Sequence, residues 1–360
     1  MAKICQIGAG MVGRTMALDL STNHDLYLAD FNLDHLESIK LTSPSIHIKQ
    51  LDVNIKSDLV DFIEPADIVL LAVPGFMGYR TLKVILESKK DVVDISFSPE
   101  NLMKLSDIAV KNNVTAIFDT GVAPGLPNYA LGFHNREIDI QSFEYYVGGL
   151  PLFPEPPFNY KAPFSPIDVI EEYTRPARMM KDNKIITKPA MSDLEIKGFK
   201  GIGELEAFNT DGLRSILYTM NHISNMKEKT LRYPGHIKLV QEYLKDGRFE
   251  PKNIKKTSKE LFQAWKLKKD EPEFTLLDVI IKSSDKVIKY HLYDEFDSIN
   301  KNSSMARTTG YTATASIHLI LNNLFNKKGV FPPEIVGEKQ KCFEFIVSYL
   351  KDRNVRFKKV

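Results

Sequence analysis

The chain has 360 residues, which is enough for about two domains that each bury a core. With 43% hydrophobic and 26% charged residues, its composition is typical of a globular protein in water. The formal net charge of +2 gives no general electrostatic reason to expect nucleic acid or an anionic membrane as a partner. No apolar run approaches the roughly 20 residues that span a bilayer, and no signal-peptide pattern precedes the first strand. We therefore expect a cytoplasmic protein.

Cysteine and histidine are too few and too scattered to suggest a metal site or a disulfide framework. The two cysteines, Cys5 and Cys342, lie far apart in sequence, and neither belongs to a C-x-x-C pair. The eight histidines form no cluster with zinc-ligand spacing. We predict no bound metal.

The first motif is a glycine fingerprint between a strand and a helix. Lys3 to Ile7 is a short apolar run, and Met11 to Leu20 has helical composition and spacing. Between them, Gly8 allows a tight turn, Gly10 lets a pyrophosphate approach the backbone, and Gly13 lets the helix lie close to the strand. The helix N-terminus would meet the pyrophosphate with free N–H groups. The alternative is a structural turn without a ligand.

An acidic residue follows the next strand, where a dinucleotide-binding domain needs one. Asp25 to Ala29 reads as the second strand, and Asp30 comes directly after it. A carboxylate there accepts hydrogen bonds from both ribose hydroxyls and repels a 2′-phosphate. The cofactor predicted from this residue is NAD rather than NADP.

The alternation of strands and helices continues to about residue 122 and predicts an α/β domain with a doubly wound parallel sheet. The further predicted strands are Ile46–Val53, Asp67–Pro74, Asp91–Phe97 and Thr115–Gly121. In such a sheet, ligands lie beyond the carboxyl ends of the strands. The candidate cofactor contacts are Gly8, Gly10, Met11, Val12, Gly13, Asp30, Asp52, Val53, Val73 and Pro74.

Residues 123–304 read as a second domain of the α+β type. Alternating patterns at 141–149 and 177–190 predict strands, and helical patterns occupy 210–223 and 235–247. The segment from Pro151 to Pro166 is rich in proline and aromatic residues, which indicates a stiff, packed loop near the substrate. Residues 305–360 carry a buried helix that we expect to return and pack on the first domain.

Several motifs in the second half of the chain carry a family resemblance. They are "FDTGVAPGLPN", "VGGLP", "FSPIDVIEEYTRPA", "GIGELEAFNTDGLRS", "TLRYPGH", "MARTTGYTA" and "GVFPPE". Together they resemble the saccharopine dehydrogenase-like family, and most closely its L-lysine 6-dehydrogenase branch. The resemblance implies an N-terminal Rossmann domain, a substrate domain that also mediates homodimer or homotetramer formation, and a nicotinamide-dependent oxidation at a carbon bearing nitrogen.

Asp119 is the best-placed carboxylate for that chemistry. A lysine ammonium, with a pKa of about 10.4, is almost wholly protonated at pH 7, so the enzyme must provide a route for its proton. Asp119 ends a predicted core strand, where it can orient the amine and accept a proton directly or through water. The alternative is that Asp119 only caps the following turn. Glu204 and Glu206 form a second acidic pair, for which solvent-facing and fold-closing roles are as plausible as substrate contact.

Arginines are expected to hold a substrate carboxylate, because the planar guanidinium matches it with two hydrogen bonds. Arg175 and Arg232 are the candidates, and buried structural ion pairing is the alternative for each. His236 is a candidate proton shuttle near neutral pH, and the alternative is that it only occupies the first position of a helix. Three further residues complete the predicted pocket. Those three pocket residues are Tyr160, Lys161 and Thr210.

The reading favoured by the sequence is NAD-dependent oxidative deamination of the ε-amino group of L-lysine. Ammonia and the 6-semialdehyde would leave, and the latter would cyclise to piperideine-6-carboxylate. Saccharopine or carboxynorspermidine dehydrogenase is the alternative enzyme, with a secondary amine as substrate. Saccharopine carries three carboxylates, so its site should need more converging cations than lysine's. A non-catalytic NAD-sensing module is the third reading, and it leaves Asp119, Arg175 and Arg232 unexplained.

Overall fold

A computed structural model describes residues 1–268 and 270–360 of the chain. These residues form two compact units. The first consists of Met1–Glu137 and Ala306–Asn354, and the second of Ile138–Met305 and Val355–Val360.

Strands and helices alternate through the first 137 residues. The strands are β1 (Lys3–Ile7), β2 (Asp25–Asp30), β3 (His47–Gln50), β4 (Ile68–Leu71), β5 (Asp91–Asp94) and β6 (Thr115–Phe118). The helices are α1 (Met11–Leu20), α2 (Leu33–Thr42), α3 (Lys56–Ile63), α4 (Gly75–Glu87), α5 (Ser106–Lys111) and α6 (Leu126–Asn135), with a short 3-10 helix at Leu102–Leu105.

The middle of the chain is richer in strands. They are β7 (Ser142–Pro151), β8 (Ala177–Lys181), β9 (Lys184–Lys188), β10 (Glu195–Phe199), β11 (Gly203–Asn209), β12 (Asn225–Arg232), β13 (Glu273–Lys282) and β14 (Val287–Glu295). The helices are α7 (Pro166–Thr174), α8 (Ile216–Thr219), α9 (His236–Lys245) and α10 (Ile254–Ala264). The chain ends with α11 (Ser304–Leu321), β15 (Gly329–Phe331), α12 (Pro333–Gly337), α13 (Gln340–Asp352) and β16 (Phe357–Lys359).

The first unit contains a seven-stranded sheet in the order β15-β6-β5-β4-β1-β2-β3. Its strand pairs are all parallel. Strand β4 has the sequence IVLL, and each of its four residues is buried, as expected for a parallel strand with both faces covered. The predicted α/β class and parallel sheet are confirmed. The sequence reading missed β15, a three-residue strand that pairs with β6.

The first unit extends beyond the predicted boundary at residue 122. Helix α6 packs on α12, and the Asn128 side-chain amide donates a hydrogen bond of 2.9 Å to the carboxylate of Glu334. The helices approach so closely that a Cβ on Gly132 would collide with the Glu334 carbonyl oxygen. These contacts place residues 123–137 in the first unit. The last strand, β16, instead pairs with β14 in the second unit.

The C-terminal segment is attached to the first unit through Asp19 on α1. Its carboxylate accepts hydrogen bonds from the Thr314 hydroxyl at 2.6 Å and the Tyr349 hydroxyl at 2.8 Å. Arg353 completes the group with an Nε–H donated to the other carboxylate oxygen at 2.7 Å. One acidic side chain therefore joins α1 to both α11 and α13.

The second unit contains a nine-stranded mixed sheet. Seven strands follow the path β10-β11-β12-β7-β13-β14-β16, and β8 and β9 lie off this path, with β8 paired to β12 and β9 paired to β8. Only β7 and β12 run parallel along this path. Aromatic side chains fill much of the core, among them Trp265, Tyr160 and Tyr173, which are each at most 1% exposed. Tyr160 comes from the proline-rich segment, so at least this part of the segment is packed.

The helix predicted over 210–223 is wrong for most of its length, since only Ile216–Thr219 is α-helical. Arg214 has a φ of +51°, in the left-handed region that interrupts a right-handed helix. The Gly212 carbonyl oxygen is bound outside any helix, because it accepts a hydrogen bond of 2.7 Å from the Tyr145 hydroxyl on β7. Tertiary contacts thus override the helical pattern. Across the described part of the chain, the helices are too short or too polar to span a membrane.

Asp19→Ala should lower the free energy of unfolding by about 2 kcal/mol, because it removes the acceptor for three side-chain donors on α11, on α13 and at the C-cap of α13. Urea unfolding followed by circular dichroism measures the change. Glu37→Ala is the matched control, since Glu37 is exposed on the neighbouring α2. Equal stabilities for the two variants would show that the Asp19 contacts do not hold the C-terminal segment.

Candidate functional site

The carboxyl ends of the parallel strands carry the residues that the sequence marked for cofactor binding. Because parallel strands end at the same edge of their sheet, residues that follow β1 to β4 gather there. Gly8 follows β1, Asp30 ends β2, Asp52 lies just after β3, and Val73 just after β4. Asp119 directly follows β6 at the same edge.

The three glycines of the loop between β1 and α1 have different surroundings. Gly8 has a φ of +108°, and a Cβ there would collide with the Ala72 carbonyl oxygen. A Cβ on Gly13 would collide with the Gly8 carbonyl oxygen, so the helix lies against the strand. At Gly10, by contrast, nothing lies within 4 Å of a built Cβ. The loop therefore leaves open space at the glycine where a pyrophosphate is expected to approach.

Helix α1 begins at this loop with its N-terminus uncapped by any side chain. Gly10 is the N-cap residue, and no acidic side chain lies in the first turn. The first N–H groups of the helix and the positive end of its dipole therefore suit an anion. Met11 opens the helix and is 44% exposed, and Val12 follows it half-buried.

Asp30 braces the glycine loop from the end of β2. One carboxylate oxygen accepts the Ala9 backbone N–H at 2.6 Å, and the other accepts the Asn32 N–H at 2.7 Å. The side chain is 17% exposed, so part of the carboxylate faces solvent. The hydrogen bond to Ala9 ties this carboxylate directly to the glycine loop, where a ribose-binding carboxylate is expected.

The remaining predicted cofactor contacts lie in the loops after β3 and β4. Asp52 accepts hydrogen bonds from Asn54, at 2.9 Å from its backbone N–H and 2.7 Å from its side-chain amide. Val53 and Val73 are half-buried, and Pro74 is the N-cap residue of α4. Their position at the sheet edge agrees with the prediction, and their contact with a cofactor stays a prediction.

Asp119 occupies an unusual backbone conformation after β6. Its φ is +55°, which few non-glycine residues adopt, and its side chain is almost completely buried. The turn that follows is closed by a backbone hydrogen bond of 3.0 Å from Gly121 to Pro124 and by Gly125, whose φ is +143°. Aspartate adopts this left-handed conformation more readily than most residues, and the buried turn that follows holds Asp119 in it.

In the second unit, the predicted substrate arginine Arg232 lies in a buried ion pair. Its guanidinium donates to the Glu172 carboxylate at 2.8 Å and, through Nε, to the Tyr173 hydroxyl at 2.9 Å. It also packs over the ring of Tyr160, with Cζ 4.3 Å from the ring centroid. Arg232 is 2% exposed. This is the structural ion pair that the sequence left open as the alternative to a carboxylate anchor.

His236 belongs to the same buried cluster and does not suit the predicted proton-shuttle role. Its Nδ1 lies 2.7 Å from the Phe158 carbonyl oxygen, which only accepts, so Nδ1 carries the proton. Its Nε2 then accepts the Tyr173 hydroxyl proton at 2.9 Å. Burial, reinforced by the charge of Arg232, lowers the pKa of His236 to about 3. The ring therefore stays neutral at pH 7.

The other predicted substrate residues of this unit also have protein partners. The Arg175 guanidinium contacts Glu171 one helical turn earlier on α7. The Lys161 ammonium lies 3.5 Å from the Glu155 carboxylate. The Thr210 hydroxyl donates to the carboxylate of Glu228 at 2.5 Å. Substrate contact by these residues stays a prediction.

Glu204 and Glu206 both lie on β11 and share one face of it, as the alternation predicted. Glu204 is exposed, whereas Glu206 is 7% exposed and accepts the Gly235 backbone N–H at 3.1 Å. Glu206 therefore holds the turn before α9, which is a fold-closing role.

Sequence reasoning missed Glu228, a buried carboxyl group on β12. It is 3% exposed and accepts hydrogen bonds from Thr210, from Thr230 at 3.3 Å and from the Gly212 backbone at 3.1 Å. Burial raises the pKa of Glu228 to about 8. No local motif marks it, because two of its partners, Thr210 and Gly212, come from the turn after β11. Within the described residues, no group of His, Cys, Asp or Glu side chains is arranged to hold a metal ion.

Comparison with protein families gives two matches that together cover most of the chain. Residues 4–117 match the model described as the saccharopine dehydrogenase NADP binding domain. Residues 121–355 match the model described as the saccharopine dehydrogenase C-terminal domain.

Individual relatives are more distant. A saccharopine dehydrogenase [NADP(+), L-glutamate-forming] of Saccharomyces cerevisiae is 28% identical over 257 residues, which span 67% of this chain and 57% of the relative. The mitochondrial alpha-aminoadipic semialdehyde synthase of Rattus norvegicus is 23% identical over 262 residues, 68% of this chain and only 28% of the relative.

A solved structure shows the same fold along the whole chain. It is an apo saccharopine dehydrogenase (L-Glu forming) from Saccharomyces cerevisiae, with a TM-score of 0.80 and 18% identity. The superposition covers 100% of this chain and 99% of that one.

Glu228→Gln should flatten the fall in stability between pH 6 and pH 8.5. A carboxyl group whose pKa rises from 4.5 to about 8 on folding stabilises the folded state fully below pH 4.5, and this contribution is lost as the pH rises through about 8. The glutamine does not titrate. Thermal unfolding at the two pH values measures the difference, with Glu204→Gln as the exposed control. A wild-type midpoint that falls no more steeply than that of Glu228→Gln would contradict a raised pKa.

Proposed function

The chain belongs to the saccharopine dehydrogenase family, and we propose that it is an NAD-dependent oxidoreductase that oxidises the ε-carbon of L-lysine. The observation that carries the proposal is the shared sheet edge in the first unit. There the open glycine loop, the Asp30 carboxylate and the buried Asp119 follow three strands of one parallel sheet. Such an edge is where α/β proteins bind dinucleotides.

The residues of the loop fit a dinucleotide. Space beside Gly10 and the uncapped N-terminus of α1 suit a pyrophosphate, while the packing of Gly8 and Gly13 leaves no room for larger residues. A bound nicotinamide would supply the acceptor for a hydride from the substrate carbon.

The choice of NAD over NADP rests on Asp30. Its partly exposed carboxylate would accept hydrogen bonds from two ribose hydroxyls, and its charge would repel a 2′-phosphate. The matching family model is described as NADP binding, and the yeast relative is named as an NADP enzyme. If this chain uses NAD, it differs from that relative in its cofactor.

Asp119 is the proposed proton acceptor. Its carboxylate would hold the ε-amine and take one proton as the carbon is oxidised to an imine. Water then adds to the imine carbon and the carbon–nitrogen bond breaks. Ammonia and the 6-semialdehyde leave. With a bound nicotinamide as the hydride acceptor, one lysine, one oxidised cofactor and one water would give one semialdehyde, one reduced cofactor, one ammonium ion and one proton.

Lysine is preferred to saccharopine because three arginines of the second unit, including both candidates, already contact protein carboxylates. Arg175 contacts Glu171, Arg178 binds both oxygens of Asp211, and Arg232 is paired with Glu172. A substrate with three carboxylates would need cations that are not neutralised in this way.

Saccharopine is the second candidate, and the named relatives favour it. The chain spans only 57% of the yeast saccharopine dehydrogenase and 28% of the rat synthase, so their activities carry over only as a proposal. A homo-oligomer, as dimer or tetramer, is a further proposal that rests on the sequence resemblance. A cytoplasmic location is a proposal that rests on the composition of the sequence.

A substrate panel tests the function. The purified protein is mixed with NAD or NADP and with L-lysine, saccharopine or cadaverine, and absorbance of the reduced cofactor is followed. We expect reduction of NAD with L-lysine and none with saccharopine. The rate with cadaverine measures how much the α-carboxylate of lysine contributes. Activity with saccharopine and none with lysine would establish the second candidate. No reduction with any substrate, despite NAD binding, would favour a sensing module.

Asp30→Ala should weaken NAD binding by about 10-fold and bring NAD and NADP affinities closer together, because it removes both the ribose acceptor and the repelling charge. Fluorescence titration with NADH and NADPH measures both affinities. Asp34→Ala is the control, since Asp34 is exposed on α2 nearby. Comparable wild-type affinity for NADPH would count against this role of Asp30.

Asp119→Asn should keep NADH affinity and lower turnover by about 100-fold or more, because the amide keeps the shape but cannot take a proton. Steady-state rates, NADH titration and circular dichroism are measured on the same preparation. Wild-type turnover in the folded variant would exclude the catalytic assignment. A variant that fails to fold would instead identify Asp119 as a turn-forming residue.

A further inference from the structure

A buried glutamine lies beneath the glycine loop. Gln6 is the fourth residue of β1, and its neighbours across the sheet are Leu28 on β2 and Leu70 on β4. Its exposure is 0%. A polar side chain at such a central position of a parallel sheet is unusual, because these strands are normally apolar on both faces.

The Gln6 amide joins the two sides of the loop. Its Nε2 donates to the Gly8 carbonyl oxygen at 2.9 Å and to the Gly13 carbonyl oxygen at 2.6 Å. Gly8 begins the loop, and Gly13 lies in the first turn of α1. One amide group therefore spans the loop from the strand side to the helix side.

The orientation of this amide is fixed by its partners. Two carbonyl oxygens only accept hydrogen bonds, so the nitrogen must face them, and a flipped amide would place three oxygens together. The Oε1 atom then points elsewhere, and it is buried with no hydrogen-bond partner in the described part of the chain. An unpartnered buried amide oxygen is destabilising.

We propose that Gln6 is a positioning residue for the cofactor, which holds the Gly8 to Gly13 loop in the shape that binds the pyrophosphate. The proposal rests on the proposed function, since it needs a dinucleotide in this loop. By bonding both carbonyl oxygens below the loop, the amide turns those carbonyls inward and leaves the N–H groups at the start of α1 for the phosphates. The unpartnered Oε1 atom lowers the stability of the folded state, and this cost accompanies the arrangement.

The test separates cofactor affinity from stability. Gln6→Met keeps the length of the side chain, removes both hydrogen bonds and also removes the orphaned oxygen. The two effects oppose each other in stability, so the unfolding midpoint should change little. The dissociation constant for NADH should rise by about 10-fold, since the loop loses its brace. The loss should be equal for NADPH, because both cofactors carry the same pyrophosphate.

Ile4→Val is the matched control on the same strand. Ile4 is completely buried in β1, and loss of one methylene should lower the unfolding midpoint without changing NADH affinity. NADH fluorescence titration and thermal unfolding are done on the wild type and both variants. Equal NADH affinity of Gln6→Met and wild type, or equal weakening by both variants, would overturn the proposal. A wild type that binds neither NADH nor NADPH would overturn the proposed function itself.

Discussion

The turn from β1 into α1 is so tightly packed that two of its glycines cannot carry a side chain, and the proposed chemistry depends on this crowding. Gly8 touches the backbone after β4, and Gly13 touches the backbone of Gly8. Helix α1 is thereby held with its N-terminus at the sheet edge, beside open space at Gly10. A looser turn would move the helix away from the strand and remove the anion-binding position.

The second unit is organised around a different constraint, which is the burial of charge. Arg232 is stable in its aromatic surroundings because Glu172 neutralises it and Tyr173 and Tyr160 surround it. The same cluster lowers the pKa of His236 and keeps its ring neutral. Histidine is a residue type suited to catalysis, but His236 has a structural role in this cluster. The proposed acid–base chemistry therefore depends on Asp119 in the first unit.

Features that depend on neighbouring residues could be predicted from the sequence, and features that depend on distant contacts could not. The glycine loop, the start of α1 and strands β1 to β6 of the parallel sheet follow from local spacing, and they are as predicted within a few residues. The pairing of Arg232 with Glu172 joins residues 60 positions apart, so no local pattern identifies it. The helix predicted over 210–223 failed for the same reason, because contacts to Gly212 and the left-handed Arg214 determine that turn.

The position of hydride removal tests the central claim most directly. L-lysine carrying two deuterium atoms on its ε-carbon is oxidised with NAD, and the reduced cofactor is analysed by mass spectrometry. The account predicts that the NADH gains one deuterium and that the semialdehyde keeps the other. NADH without deuterium would mean that another carbon is oxidised, and reduction of the cofactor by saccharopine alone would contradict lysine as the substrate.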